Sequence, residues 1–192
     1  TARQVRLAIT KADACVLLVD ARDGLLPQDR AILDELRRAG KPVLLAVNKT
    51  DGRDPLVAHA EFAPLGIAAT IPIAAAHSRG LDDVLAGLSP LLPPDDEPDA
   101  DVEDGNTGTR VAIVGRPNVG KSTLVNRLLG EERVVVSEVA GTTRDSIHVQ
   151  LERDGRRYTL IDTAGVRRKG RVDDALEKFS IIKTLQSIAA AQ

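Results

Sequence analysis

Between an apolar run at residues 110–114 and a stretch of helical spacing at 121–129 stand Gly115, Arg116, Pro117, Asn118, Val119, Gly120, Lys121 and Ser122, with Thr123 behind them. This is the pattern G-x-x-x-x-G-K-S, and few features constrain a fold so tightly. A strand has to end, a glycine loop has to turn its N–H groups toward an anion, and a helix has to open with its positive dipole end at the same point. Lys121 then offers a mobile charge to β- and γ-phosphates, and Ser122 offers a hydroxyl to magnesium. A strand feeding a helix in this way predicts an α/β chain with a mostly parallel sheet covered on both faces. Only 2% of residues are aromatic, so the core has to be built from Val, Leu, Ile and Ala, which suits buried parallel strands.

Two further motifs give the loop a context. Asp162, Thr163, Ala164, Gly165 and Val166 follow a strand-like run at 158–161. The spacing D-x-x-G sets a carboxylate at a strand end for water-mediated contact with magnesium and offers the Gly165 N–H to a γ-phosphate. Alone it is a common turn; about forty residues beyond Lys121 it gains weight. Thr142 and Thr143 lie between the two motifs, and a hydroxyl there, Thr143 for preference, would complete the magnesium shell; an ordinary loop role competes with that reading. Asn48, Lys49, Thr50 and Asp51 end the apolar run 43–47. A carboxylate such as Asp51 accepts two hydrogen bonds from the N1–H and exocyclic amine of guanine, and adenine has no matching pair of donors. Read singly, this tetrapeptide is a polar turn after a buried strand. Together the motifs predict binding of GTP or GDP with Mg2+.

Periodicity predicts a helix over 1–12, strands at 15–20, 43–47 and 69–74, and helices at 27–39, 55–63 and 81–91, an alternation of βαβ units. Pro27 opens one helix and Gly40 closes it. Residues 93–109 break the rhythm with Pro, Gly and seven acids, Asp95, Asp96, Glu97, Asp99, Asp101, Glu103 and Asp104. They read as an acidic linker between a unit at 1–92 and a unit at 110–192. Beyond it come a strand at 110–114, a helix at 121–129, a long loop at 134–145, a β-hairpin of strands 147–152 and 158–162 joined through Asp154 and Gly155, and a helix at 173–190.

The formal charge of −2 is unevenly spread: residues 1–109 carry 11 basic and 18 acidic side chains, residues 110–192 carry 15 and 10. The second stretch is compatible with phosphate or RNA contact. His59, His77 and His148 lack metal-ligand spacing, and the lone Cys15 sits in an apolar run as a small hydrophobe. No run approaches eighteen apolar residues and nothing resembles a signal peptide, so the expectation is a cytoplasmic protein with no membrane partner. A chain that starts at Thr1 and contains no methionine reads as a fragment or an engineered sequence.

These phrases resemble the Era-like GTPases of the TRAFAC class, in particular a ribosome-assembly branch with two tandem G domains followed by a KH-like domain. The likeness rests on Val19-Asp-Ala-Arg-Asp-Gly-Leu, Asn48 to Asp51, Gly115 to Thr123, Gly130-Glu-Glu-Arg-Val-Val-Val136, Gly141-Thr-Thr-Arg-Asp-Ser146 and Asp162 to Val166. It implies the P-loop NTPase fold, residues 1–92 as the later half of a first G domain, and residues 110–192 as the earlier half of a second. Ala74 and Ala75 then belong to a loop beside the guanine, and large-subunit assembly with ribosomal RNA becomes the implied setting, with no DNA partner. Val166 stands where Ras-like enzymes carry the glutamine that orients water. Asn118 stands where related GTPases help coordinate potassium, which would stabilise phosphate charge; a simple loop-conformation role competes. Lys121, Asn118, Thr143 and Gly165 are the residues implied in catalysis.

Either half alone would expose an apolar strand edge. Docking in cis predicts one six-stranded, circularly permuted G domain in which strand 110–114 lies parallel to strand 15–19. The sixteen residues from Pro93 to Gly108 reach about 50 Å when extended and allow it. The competing functional class is a non-hydrolysing module that docks on RNA or protein through its basic stretch, where Arg144, Arg167, Arg168, Lys169 and Arg171 gather. A P-loop kinase or ATPase would leave Asn48 to Asp51 without a purpose.

Overall fold

The structure, a computed structural model, describes residues 2–92, 108–130, 135–138, 149–153 and 155–161. Residues 93–107 of the expected linker, Thr143, Asp162 to Val166 and the helix over 173–190 lie outside the described residues; Thr109 already belongs to a strand.

Every residue of β1 (Ala14–Asp20) is buried, as a strand covered on both faces requires. It pairs in parallel with β2 (Val43–Asn48), with Cys15 opposite Val43 and Asp20 opposite Asn48. On its other edge lies β4 (Thr109–Val114), also parallel, with Ala14 opposite Val111 and Leu17 opposite Val114. The expected junction between the two stretches is therefore present as a continuous ladder. β3 (Thr70–Pro72) extends the sheet beyond β2, and β7 (Arg156–Ile161) extends it in parallel beyond β4. The hairpin partner β6 (Val149–Arg153) runs antiparallel to β7.

To the six expected strands the fold adds a seventh. Residues 134–145 read as one long loop, yet β5 (Val135–Glu138) pairs antiparallel with β6, giving the order β3-β2-β1-β4-β7-β6-β5. An edge strand of four residues has no periodicity of its own to betray it; only the neighbouring edge of β6 supplies its hydrogen bonds. The order is that of a circularly permuted G domain, with the strand leading into the phosphate loop at the centre.

Alternation along the central strands feeds two cores. Val16, Leu18, Leu44, Ala46, Val111 and Ile113 face α4 (Leu81–Leu88) and α5 (Lys121–Leu129). Cys15, Leu17, Val19, Leu45, Val47, Ala112 and Val114 face the layer of α1 (Ala2–Lys11), α2 (Pro27–Arg38) and α3 (Pro55–Phe62). The helices have local reasons to start where they do. Pro27 and Pro55 occupy first-turn positions, and the Asp54 carboxylate accepts the Leu56 N–H at 2.9 Å. The helix expected over 81–91 ends at Leu88, because Pro90 shortens its last turn to a 3-10 turn over Ser89–Leu91. Among the described residues no helix is long and apolar enough to cross a membrane.

Candidate functional site

At the C-terminal end of β4 the chain turns through residues 115–120 into α5, the site that the sequence motif marks. Gly115 (φ 156°) and Gly120 (φ 102°) are glycines for two reasons. Neither conformation suits a side chain, and a Cβ at Gly115 would lie 2.3 Å from the Leu18 carbonyl oxygen. At Gly120 it would lie 2.3 Å from Asn48 Nδ2. Both glycines thus admit a close approach from the 1–92 stretch. Asn118 holds a left-handed conformation at φ 65°, and Pro117 and Asn118 are exposed at the tip of the turn.

Lys121 opens α5 and folds back over the loop, its Nζ donating to the carbonyls of Gly115 at 2.9 Å and Arg116 at 2.6 Å. Burial pushes its ammonium down from the ordinary lysine range, and the neighbouring Arg116 charge adds to that. Ser122, half-buried, follows it in the first turn, and Thr123 is exposed. Of the three expected magnesium ligands only Ser122 lies among the described residues.

The tetrapeptide Asn48 to Asp51 ends β2 beside this loop. The Asn48 amide is buried; its Nδ2 donates to the Val119 carbonyl at 2.8 Å and its Oδ1 accepts the Ala75 N–H at 3.0 Å. One side chain thereby joins the phosphate loop, β2 and the 74–77 turn. Lys49, at φ 63°, donates from Nζ to the Asn118 carbonyl at 3.1 Å and pairs with the buried Asp20. Thr50 Oγ1 donates to the Ile73 carbonyl at 2.9 Å, closing the turn. Asp51 is ion-paired with Arg22. Desolvation raises its carboxyl, but hydrogen bonds from its own backbone and from Arg22 outweigh that and hold it below the usual aspartate range.

The sequence-predicted residues Gly115 to Thr123, Asn48 to Asp51, Ala74 and Ala75 are thus gathered at one end of the sheet. Thr143 and Asp162 to Val166 fall outside the described residues. Arg116, at a variable position of the loop motif, has its side chain buried against Asp29 and Asp23, because a fully buried carboxylate at Asp29 demands a cation. Sequence reasoning missed Asp29, Asp23 and Arg22. The N3 position of Asp29 after Pro27 announced a helix cap and nothing about a partner 87 residues away.

Comparison with known proteins agrees with this geometry. A model of the 50S ribosome-binding GTPase family matches residues 110–192, and a model of the elongation factor Tu GTP binding domain matches residues 2–66. Both models describe GTP-binding domains, and the fold is the α/β fold of P-loop GTPases. More particularly, the chain is similar to GTPase Der of Thioalkalivibrio sulfidiphilus, at 57% identity over 99% of this chain and 41% of that protein. Identity to GTPase Der of Halorhodospira halophila is 59% over 98% of this chain and 40% of the relative. The chain spans about two fifths of the length of these relatives.

Proposed function

We propose that the chain binds one guanine nucleotide across the β1–β4 junction, with its phosphates in the 115–122 nest and its base against Asp51. The observation that carries this reading is the Asn48 side chain, bonded at once to Val119 of the phosphate loop and Ala75 of the 74–77 turn. Motifs joined by one buried amide lie close enough to share a ligand. Within the proposal the guanine donates its N1–H and exocyclic amine to the Asp51 carboxylate, displacing Arg22 from at least one oxygen. Lys121 leaves its two carbonyls for the β-phosphate, an exchange favoured by the stronger charge-assisted bond.

Ser122 fits magnesium by donor chemistry, a hard hydroxyl oxygen beside the nest, with Thr143 and Asp162 as the further ligands of the proposal. Magnesium, when bound, would neutralise charge developing on the transferred phosphate. Asn118 is the proposed contact for potassium. Hydrolysis, with Gly165 and Thr143 near the γ-phosphate, a role on the large ribosomal subunit and a cytoplasmic setting extend the same proposal. The names of the relatives and of the matching family support hydrolysis and the ribosomal setting. Residues 1–92 and 110–192 are proposed to be halves of two G domains.

The test is titration with fluorescent GDP, GTP and ATP analogues. The expected result is guanine selectivity that Lys121→Ala abolishes and Asp51→Asn redirects from guanine toward xanthine, whose 2-oxo group suits an amide donor. Equal affinity for ATP and GTP would refute the base assignment. Turnover in potassium but none in sodium supports hydrolysis here; binding with no turnover in either favours the docking-module reading, which the basic charge of residues 110–192 motivates.

A further inference from the structure

An arginine inside a phosphate-binding loop is well placed to contact phosphate, and this one is turned to two carboxylates. Arg116 Nε donates to Asp29 Oδ1 at 2.8 Å, and Nη1 and Nη2 both donate to Asp23 Oδ2 at 3.3 Å. Its side chain is 10% exposed and that of Asp29 is 0% exposed. Asp29 is itself committed at its other oxygen: Oδ2 accepts the Leu26 N–H at 3.0 Å and closes the first turn of α2. The Arg116 backbone is committed too, since its carbonyl accepts Lys121 Nζ at 2.6 Å. A relay of four groups therefore runs from the start of α2, through Asp29 and the Arg116 guanidinium, to the ammonium that reaches for phosphate.

We propose that Arg116 is a positioning residue: clamped by Asp29 and Asp23, it fixes the phosphate loop against the start of α2 and sets the place from which Lys121 acts. The proposal rests on the reading of residues 115–122 as the phosphate nest. A planar fork held at both carboxylates fixes direction as well as distance, which a lysine or an apolar filler cannot do. A buried ion pair is by itself weak evidence for stability, since well-packed apolar replacements often match it. Its geometric value here is that it ties residue 116 of the loop to the start of α2, while Asn48 and Lys49 tie residues 119 and 118 to the end of β2. Displacement of the start of α2 would carry the loop with it.

Arg116→Ala would leave Asp29 buried and uncompensated, so two other variants carry the test. Arg116→Lys keeps the charge and loses the fork. The double variant Arg116→Met with Asp29→Asn removes both charges and keeps an acceptor for the Leu26 N–H. Arg110→Ala, which breaks the exposed pair with Asp13 away from the loop, is the control for general weakening of the junction. Two readouts are taken: amide hydrogen exchange of residues 115–122 in nucleotide-free protein, and affinities for GDP and GMP. Both Arg116 variants are expected to exchange about tenfold faster in the loop and to lose about tenfold in GDP affinity, with GMP affinity and the Arg110→Ala control unchanged. Loop amides that keep their protection in both variants, or GDP and GMP affinities that fall together, overturn the proposal. If wild-type protein binds no GDP, the nucleotide reading fails, and exchange in the loop still decides whether Arg116 holds it.

Discussion

Asn48 spends both ends of its amide on backbone groups from separate parts of the chain, and with 3% exposure it has no water to turn to. Such a residue earns its place by geometry, because an aspartate of the same shape would offer no donor to the Val119 carbonyl. Cys15 illustrates the opposite case, a side chain that does nothing but pack. Burial pushes its thiol from 9.0 up to about 12, with Lys41 pulling slightly the other way. The unfolded thiol ionises near its ordinary value while the folded one stays neutral, so this contribution is complete below about pH 9 and is lost as pH climbs toward 12. Denaturant melts should show wild-type stability falling by up to about 1.4 kcal/mol per pH unit more steeply than Cys15→Ala across that window. Equal slopes would mean the thiol is not shielded. Roles such as these were only half legible in the chain: the motif named Asn48, and the apolar run around Cys15 named its burial, but neither told which atoms they touch.

At the scale of elements the question is what holds β4 to β1. Asp13 and Arg110 make a bidentate pair across this junction, with side chains 34% and 46% exposed. Exposed pairs contribute about 0–1 kcal/mol. Leu17, opposite Val114 and fully buried, belongs to the core shared with α1 and α2. Truncating such a residue removes about 2–5 kcal/mol. Equilibrium unfolding in urea should therefore show Leu17→Ala losing several times more stability than Asp13→Ala; comparable losses would show that the ion pair, and not apolar burial, carries the junction. Most elements were legible beforehand because their signals are local: Pro27 and Gly40 bracket α2, and Gly155 marks the β6–β7 turn. β5 was not, since four residues at an edge become a strand only when β6 supplies a partner.

For the whole molecule the consequence of one sheet is cooperativity. The two cores each draw on both stretches of the chain, so neither can lose its layer without exposing the other. A protease site inserted between residues 93 and 107 and then cut should leave the two pieces co-eluting as one species of unchanged size, melting in a single transition. Separation of the pieces on gel filtration would show that the covalent link, not the interface, holds them together. The local sequence determined the strands, the helices, the glycine loop and the tetrapeptide of Asn48 to Asp51, because periodicity, caps and tight turns are written within a few residues. It also made an unpaired apolar edge on β1 and on β4 costly in water. Only the tertiary structure decided that those edges meet, that Arg116 turns to Asp29 and that Asn48 holds Val119. These contacts join residues 71 and 87 positions apart, and at that range the partner is chosen by competing burial and hydrogen bonding across the whole fold, which no local pattern records.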